Sequence, residues 1–98
     1  MNSASEYVAN ILEETLAVIP NDKDPLHFWT HLNLRGRSYV ISAIKELLIL
    51  IRNNDIPPLV ILESYRDTME RFEKIDPRTY AMFATGEVVA NYFIRLIV

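Results

Sequence analysis

Hydrophobic residues recur at helical spacing in several long stretches of this chain. In the first stretch the hydrophobic side of the predicted helix recurs at helical spacing until Pro20 ends the pattern. Its residues are Val8, Ile11, Leu12, Thr15 and Ile19. Ser3 and Glu6 precede them at the spacing of a capping box, in which each side chain accepts a hydrogen bond from a free backbone N–H. The pattern therefore predicts a first helix over about residues 4–18.

The next region, residues 25–53, is less regular. Asp24 followed by Pro25 is typical of a helix start, because Asp accepts hydrogen bonds from free backbone donors and Pro loses none at the first helical position. Gly36 then interrupts the apolar stripe, and Ser38 is available as a new N-cap. We predict a short helix, a kink at Gly36 and a long helix to about residue 53. One bent helix is an open alternative, because the apolar stripe is nearly continuous.

Two adjacent prolines predict a sharp corner before the third long stretch. Proline pushes the preceding residue out of the α region, so we expect Ile56 and Pro57 outside the helix and Pro58 as its first residue. The predicted core-facing residues are Ile61, Leu62, Tyr65, Met69 and Phe72. At about 100° per residue, four charged residues lie within roughly 60° of one another on the opposite side, namely Glu63, Asp67, Glu70 and Lys74.

The last stretch completes an all-helical pattern. Asp76 with Pro77 repeats the helix-start signal, and the predicted helix runs almost to the C-terminus through Tyr80, Phe83, Val88, Ala90, Phe93 and Ile94. No hairpin turn or alternating pattern predicts a strand. We therefore expect one all-α domain over residues 1–98, a compact antiparallel bundle of four main helices plus one short helix. A stack of helix pairs of solenoid type would satisfy the same pattern.

Composition agrees with a tightly packed domain and indicates a compartment. Half of the residues are hydrophobic, two are glycine and none is cysteine. The lack of cysteine excludes disulfides and thiolate zinc sites and suits a reducing cytoplasm. The N-terminal run lacks a basic head and carries Glu6, Glu13 and Glu14, so it predicts neither a secretory signal nor a transit peptide. The most apolar segments, Val40–Ile51 and Val88–Val98, are shorter than the about 20 residues of a membrane span. We therefore expect a cytoplasmic protein with no membrane partner.

The net charge of −3 is unevenly distributed along the chain. Two acidic blocks, Met1–Asp24 and Asp55–Asp76, flank a mildly basic segment. A nucleic-acid binder usually has a dominant basic face, because released counterions supply most of its affinity. In this chain only Arg35, Arg37 and Arg52 could contribute to such a face, so we expect no nucleic-acid partner.

The residues that could carry chemistry do not form a known catalytic or cofactor motif. His27 and His31 are four residues apart, which is a metal-ligand spacing, but two ligands do not close a tetrahedral site. We expect one histidine to pack beside Trp29 and the other to face water. Arg35 and Arg37 could hold a phosphate or a carboxylate, although such arginines are more often solvated or paired with acidic neighbours. No glycine-rich loop or serine elbow occurs, so we predict a non-enzymatic domain without metal or cofactor.

The acidic positions of the third helix are the candidate contacts for a partner. Glu63, Asp67 and Glu70 are predicted to lie in water, whereas general acid chemistry needs a desolvated carboxyl group. A solvated acidic face can instead steer a basic protein to its surface and speed association. We predict partner binding through these three residues, together with Asp22 and Asp24 in the turn after the first helix.

The stretch "PPLVILESYRDTMERF", followed by "YAMFATGEVVANYF", resembles the C-terminal half of small all-helical bacterial immunity proteins of polymorphic or contact-dependent growth inhibition toxin systems. The matching residues are Pro57, Pro58, Leu59, Glu63, Tyr65, Met69, Glu70 and Phe72, with aromatic residues near Tyr80 and Phe83. The resemblance implies an inhibitor that binds its cognate toxin domain in the cytoplasm, and many such toxins are nucleases with basic clefts. The alternative is a small regulatory or self-associating helical protein whose apolar surface pairs with a second copy, as a homo-oligomer, or with another helix.

Overall fold

All regular secondary structure in the described residues is helical. This computed structural model describes the backbone of residues 3–73 and 80–98 and the side chains of residues 3–71 and 84–98. The elements are α1 (Ser3–Val18), a short 3₁₀-helix (Phe28–His31), α2 (Leu34–Asn53), α3 (Pro58–Glu73) and α4 (Tyr80–Ile97), with no strand in the described part of the chain. The predicted all-α fold is confirmed, as are four main helices plus one short helix. Their antiparallel arrangement stays a prediction.

The apolar faces of the four long helices meet in one hydrophobic core. α3 packs mainly against α4, and α2 contacts α1, α3 and α4. The core includes Leu12 of α1, Leu47 of α2, Leu62 of α3, Phe93 of α4 and Trp29 of the 3₁₀-helix. The Cα radius of gyration is 13.1 Å, as expected for about 100 residues in one compact domain.

The turn after α1 does not begin a helix at Asp24 and Pro25. The Asp22 side chain accepts a hydrogen bond of 2.8 Å from the Asp24 N–H, and the Asp24 side chain accepts one of 3.0 Å from the Leu26 N–H. These bonds are Asx turns, in which an aspartate side chain holds the backbone two residues further on. The predicted short helix exists, but its predicted start is wrong, because helical structure begins only at Phe28 and is of the 3₁₀ type.

α2 begins before the glycine that was expected to kink it. The N-cap is Asn33, whose side chain accepts a hydrogen bond of 2.8 Å from the Gly36 N–H and so satisfies a backbone donor left free at the helix start. Gly36 therefore lies in the first turn of α2, and the predicted kink at Gly36 and cap at Ser38 are wrong. The alternative of one bent helix is also wrong, because Leu32 is extended between the 3₁₀-helix and α2.

The proline corner between α2 and α3 has the predicted form. Asn54, the C-cap of α2, is extended, and α3 begins at Pro58. The N–H groups of Val60 and Ile61 both donate to the Pro57 carbonyl, so this residue closes the first turn from outside the helix. Proline at the first helical position loses no hydrogen bond, and Pro58 is buried.

The core face of α4 is shifted by one residue from part of the predicted pattern. Ala90 and Phe93 are buried as predicted, but Val88 is 46% exposed and Val89 is buried in its place. Both apolar segments considered above supply core residues, and in the described part of the chain no helix has the length and apolarity to cross a membrane. The helix start predicted at Asp76 and Pro77, and the side chains of Phe72, Lys74, Tyr80 and Phe83, lie outside the described residues.

α3 and α4 approach each other closely at Gly86. A Cβ atom at this position would lie 3.1 Å from Tyr65 Oη, 3.1 Å from Met69 Cγ and 3.2 Å from Met69 Sδ. These distances are shorter than ordinary van der Waals contacts between carbon and its neighbours. The missing side chain at Gly86 therefore lets Tyr65 and Met69 pack directly on the α4 backbone.

Candidate partner-binding surface

The outer side of α3 carries the acidic face, which consists of Glu63, Asp67 and Glu70. All three residues are exposed, while Leu62 and Tyr65 on the inner side are buried. The helical period puts these two sets on opposite sides of α3. The structure therefore brings the three acidic residues together on one solvated surface, where the sequence pattern placed them.

Basic residues compensate the acidic face only in part. Arg66 Nε lies 3.6 Å from Asp67 Oδ1, and Arg66 Nη1 donates to Asn91 Oδ1 of α4 over 3.4 Å. Within side chains 3–71 and 84–98, neither Glu63 nor Glu70 forms an ion pair within 4.0 Å. A basic group of a partner can therefore reach these carboxylates without displacing a basic group of the described residues.

A shallow recess lies beside the acidic face. This acidic recess has a volume of about 290 Å³ and is lined by Val60, Glu63, Ser64, Asp67, Thr68 and Arg71. Two carboxylates border it against one guanidinium group, so its net charge is negative. It offers an open depression for a cationic side chain, and it lacks the desolvation that would prepare a carboxyl group for acid catalysis.

A second, more apolar depression runs between α2 and α3. This furrow has a volume of about 310 Å³, and its α2 wall consists of Glu46, Leu50 and the C-cap Asn54. Its α3 wall consists of Val60, Ile61, Ser64, Tyr65, Thr68 and Met69, and Ile56 lies at the proline corner. Burial, and then the charge of Glu46, raise the pKa of Tyr65 to about 12. Glu46 therefore puts an acidic group beside an otherwise largely apolar surface.

The other two candidate residues, Asp22 and Asp24, form a separate site around His27. His27 Nε2 lies 3.5 Å from Asp22 Oδ2 and 3.6 Å from Asp24 Oδ2. Both aspartates also hold the turn through their hydrogen bonds to backbone N–H groups. The structure gives them a role in fixing this turn, and neither lines the furrow or the acidic recess.

His27 connects the turn to α4. Its ring stacks on Trp29 with the centroids 4.3 Å apart, and its Nδ1 shares a hydrogen bond of 3.1 Å with the Tyr92 hydroxyl. Burial, followed by the charges of Asp22 and Asp24, raises the pKa of Tyr92 above its ordinary value. The connected Asp, His and Tyr side chains hold residues that are 65 positions apart in the chain, and this is sufficient to explain the cluster as a structural clamp.

The two histidines lie as the sequence predicted. His27 packs beside Trp29, and His31 is exposed in the 3₁₀-helix. Because this segment is not α-helical, their four-residue spacing does not create a shared ligand face. Among the described residues, no group of three His, Cys, Asp or Glu side chains is arranged to hold a metal ion.

The arginines of the basic segment make individual structural contacts. Arg37 donates from Nη2 to the Thr30 carbonyl over 3.2 Å and so ties α2 to the 3₁₀-helix. Arg52 of α2 forms an ion pair with Glu13 of α1. Arg35 is exposed. Two of the three arginines considered for a basic face are thus engaged within the domain.

Sequence reasoning missed two features of the structure. It did not find the furrow, because Glu46 and Leu50 meet α3 only through the packing of two helices. It also missed the pairing of His27 with Tyr92, for which the sequence contains no local signal. The signal that could have indicated this depression is the four-residue spacing of the short side chains Val60, Ser64 and Thr68 on one side of α3.

Comparisons with known proteins do not assign a function, so the proposal below rests on the fold, on this surface and on the resemblance noted in the sequence. No protein-family model, curated protein or solved structure matches the chain.

Proposed function

We propose that this chain is a non-catalytic protein-binding domain that contacts a basic partner through the acidic face of α3. The observation that carries the proposal is the exposure of Glu63, Asp67 and Glu70 on one side of a helix whose opposite side is anchored in the core. An array of like charges on a rigid helix attracts a basic protein over distances of about one Debye length, about 8 Å at physiological ionic strength.

The most specific form of the proposal is an immunity protein that acts in the cytoplasm. It would bind a cognate toxin domain and cover its active site or its substrate surface. Two features support this form, namely the resemblance of residues 57–72 and 80–93 to such proteins and the fit between an acidic helix and the basic cleft of a nuclease. A nuclease cleft binds nucleic acid largely through its positive charge, so an acidic cover would compete with that substrate.

Co-expression with the product of the adjacent gene tests this form of the proposal. We expect the two proteins to purify as a stable complex, and we expect cells that make the neighbouring protein to grow only when this chain is also present. A neighbouring protein that neither binds this chain nor harms cells without it would refute the immunity function.

Charge reversal then tests the binding surface in that complex. The variants Glu63→Lys, Asp67→Lys and Glu70→Lys remove the attraction one position at a time, and Glu14→Lys on the exposed side of α1 is the matched control. Combined reversal of the acidic face should slow association by about tenfold or more at low salt, with the difference shrinking as salt is raised. Equal association rates for the acidic-face variants and the Glu14 variant would show that another surface binds the partner.

Self-association is a second candidate function, because apolar side chains are exposed near the proline corner. Ile56 is 41% exposed and Val60 is 49% exposed, and both residues line the furrow. Large exposed apolar side chains that lie together are typical of interaction surfaces. Sedimentation equilibrium over a wide concentration range separates the candidates, since a monomer at all concentrations excludes a homo-oligomeric function.

A further inference from the structure

The walls of the furrow repeat with the period of a helix on both sides. On the α2 side the wall residues are four positions apart, at Glu46, Leu50 and Asn54. On the α3 side the outer wall residues are also four apart, at Val60, Ser64 and Thr68. At about 1.5 Å per residue, each wall extends for about 12 Å. The furrow is therefore an elongated channel along two helices.

The side chains of a third helix fit such a channel better than a compact ligand does. Rows of residues four apart form the ridges and grooves through which helices pack on each other. About 12 Å corresponds to about two turns of a docked helix. The short side chains of Ser64 and Thr68 on the outer wall allow the backbone of that helix to come close.

The floor and corner of the furrow supply apolar contacts. Ile61 and Tyr65 are 8% and 7% exposed and form part of the core, while Val60 and Ile56 are much more exposed. The apolar side chains at the corner have no described residue covering their outer surface. Burial of exposed apolar side chains is favourable, so the furrow can anchor an apolar ridge.

The charges around the furrow indicate which charges the two sides of a bound helix would face. Glu46 borders the α2 side, and its charge adds to the effect of burial in raising the pKa of Tyr65. On the α3 side, Val60, Ser64 and Thr68 form the wall shared by the furrow and the acidic recess, with Glu63 and Asp67 directly beyond it. Among the described residues that line these two depressions, Arg71 at the acidic recess is the one basic residue. A helix in the furrow would thus have acidic groups along both of its sides.

We propose that the furrow between α2 and α3 binds the apolar stripe of an amphipathic basic helix of a protein partner. Lysine and arginine beside that stripe would reach Glu46 on one side and Asp67 and Glu63 on the other, with their alkyl chains lying against Leu50 and Val60 of the two walls. A second copy of this chain fits less well, because it would bring the same acidic groups against each other. This inference rests on the proposed function of α3 as the partner-binding helix and adds the kind of segment that it recognises.

Fluorescence anisotropy with labelled synthetic peptides tests the inference without the neighbouring gene product. The probe is a helical peptide of about 18 residues, about five turns, with leucine on one stripe and lysine elsewhere. One comparison peptide has the same composition in an order without a stripe, and another has glutamate in place of lysine. We expect the leucine-lysine stripe peptide to bind at least about tenfold more tightly than either comparison peptide.

Ser64→Trp tests whether the furrow is where the peptide binds. Ser64 is exposed, so tryptophan can fill the furrow from outside the core, and Asn10→Trp on the exposed side of α1 is the matched control. We expect the Ser64 variant to lose about tenfold or more in affinity for the stripe peptide while the Asn10 variant keeps it. Circular dichroism melting confirms that both variants are folded.

Three results would overturn the inference. Equal binding of the striped and unstriped lysine peptides would show charge attraction alone, and unchanged affinity of Ser64→Trp would place the peptide elsewhere. A concentration-dependent dimer that Ser64→Trp abolishes would make a second copy the occupant. Because none of these measurements uses the neighbouring gene product, they can fail while the complex with that product still forms, or succeed when it does not.

Discussion

Replacement of Gly86 by alanine tests the close approach of α3 and α4. The added Cβ would meet Tyr65 Oη and Met69 Cγ at 3.1 Å each. The Met69 Cγ atom lies in the inner part of its side chain, and Tyr65 Oη ends a rigid ring whose position is set by the core. Neither atom can move away by rotation of a free side-chain end alone, so the substitution must displace packed groups.

Two opposing contributions set the size of the effect. Alanine stabilises the interior of a helix relative to glycine by about 0.8 to 1 kcal/mol. Extra volume in a well-packed region costs about 1 to 3 kcal/mol. We expect a net loss of about 1 kcal/mol in the free energy of unfolding, which lowers the melting temperature of a domain of this size by about 4 to 8 °C.

Urea unfolding followed by circular dichroism measures this change. A comparison of Ser42→Ala with Ser42→Gly, at an exposed position within α2, measures the helix-propensity contribution without a packing term. Gly86→Ala should cost less in a Tyr65→Phe background, because the hydroxyl oxygen that meets the new Cβ is absent, with a coupling energy of about 0.5 to 1 kcal/mol. A Gly86→Ala variant that is stabilised by the full propensity difference, with no coupling to Tyr65→Phe, would refute the tight approach.

Two further predictions concern stability. Asn33→Ala removes the N-cap of α2 and should lower the free energy of unfolding by about 1 kcal/mol in urea melts. Asn33→Asp keeps a capping oxygen and should retain most of the stability of the unaltered protein. An alanine variant as stable as the unaltered protein would contradict the capping role. The pKa of Tyr65 is raised from 10.0 to about 12 in the folded protein. Between these two pH values the Tyr65 hydroxyl keeps its proton in the folded state and releases it in the unfolded state. The contribution of Tyr65 to the free energy of unfolding should therefore be fully present below about pH 10. It should fall by about 1 to 2 kcal/mol as the pH rises to about 12, after allowance for solvent screening. Comparison with Tyr65→Phe isolates this contribution, and an identical pH dependence of the two proteins would contradict it.

The parts of the fold that the sequence predicted depend on local physical rules. Proline restricts its own φ and the conformation of the residue before it, so the start of α3 at Pro58 could be located within one residue. The helical period then placed Glu63 and Tyr65 on opposite sides of α3 without knowledge of any neighbour. The acidic face was predictable because it depends on a single helix.

The parts that could not be predicted depend on competition or on contacts between helices. Asn33 and Ser38 are both good N-caps, so the local sequence does not decide which of them begins α2. Likewise, the aspartate and proline before the 3₁₀-helix carry a helix-start signal, but Asp24 uses its side chain for a turn instead. The bond between His27 and Tyr92 depends on the docking of the turn on α4.

α3 carries both the charged residues that attract a partner and the residues that contact it after binding. The two sets should affect different rate constants, namely those of association and dissociation. Glu63 and Asp67 act through long-range charge, so their reversal should change mainly the association rate and its salt dependence. Val60 and Ser64 lie on the wall shared with the furrow and act only after contact, so a bulky residue there should change mainly the dissociation rate. Since both sets occupy one rigid helix whose inner side is fixed by the core, a basic helix drawn toward the acidic residues arrives beside the apolar channel. Kinetics that show both variants affecting the same rate constant would mean that the two depressions do not act as one surface.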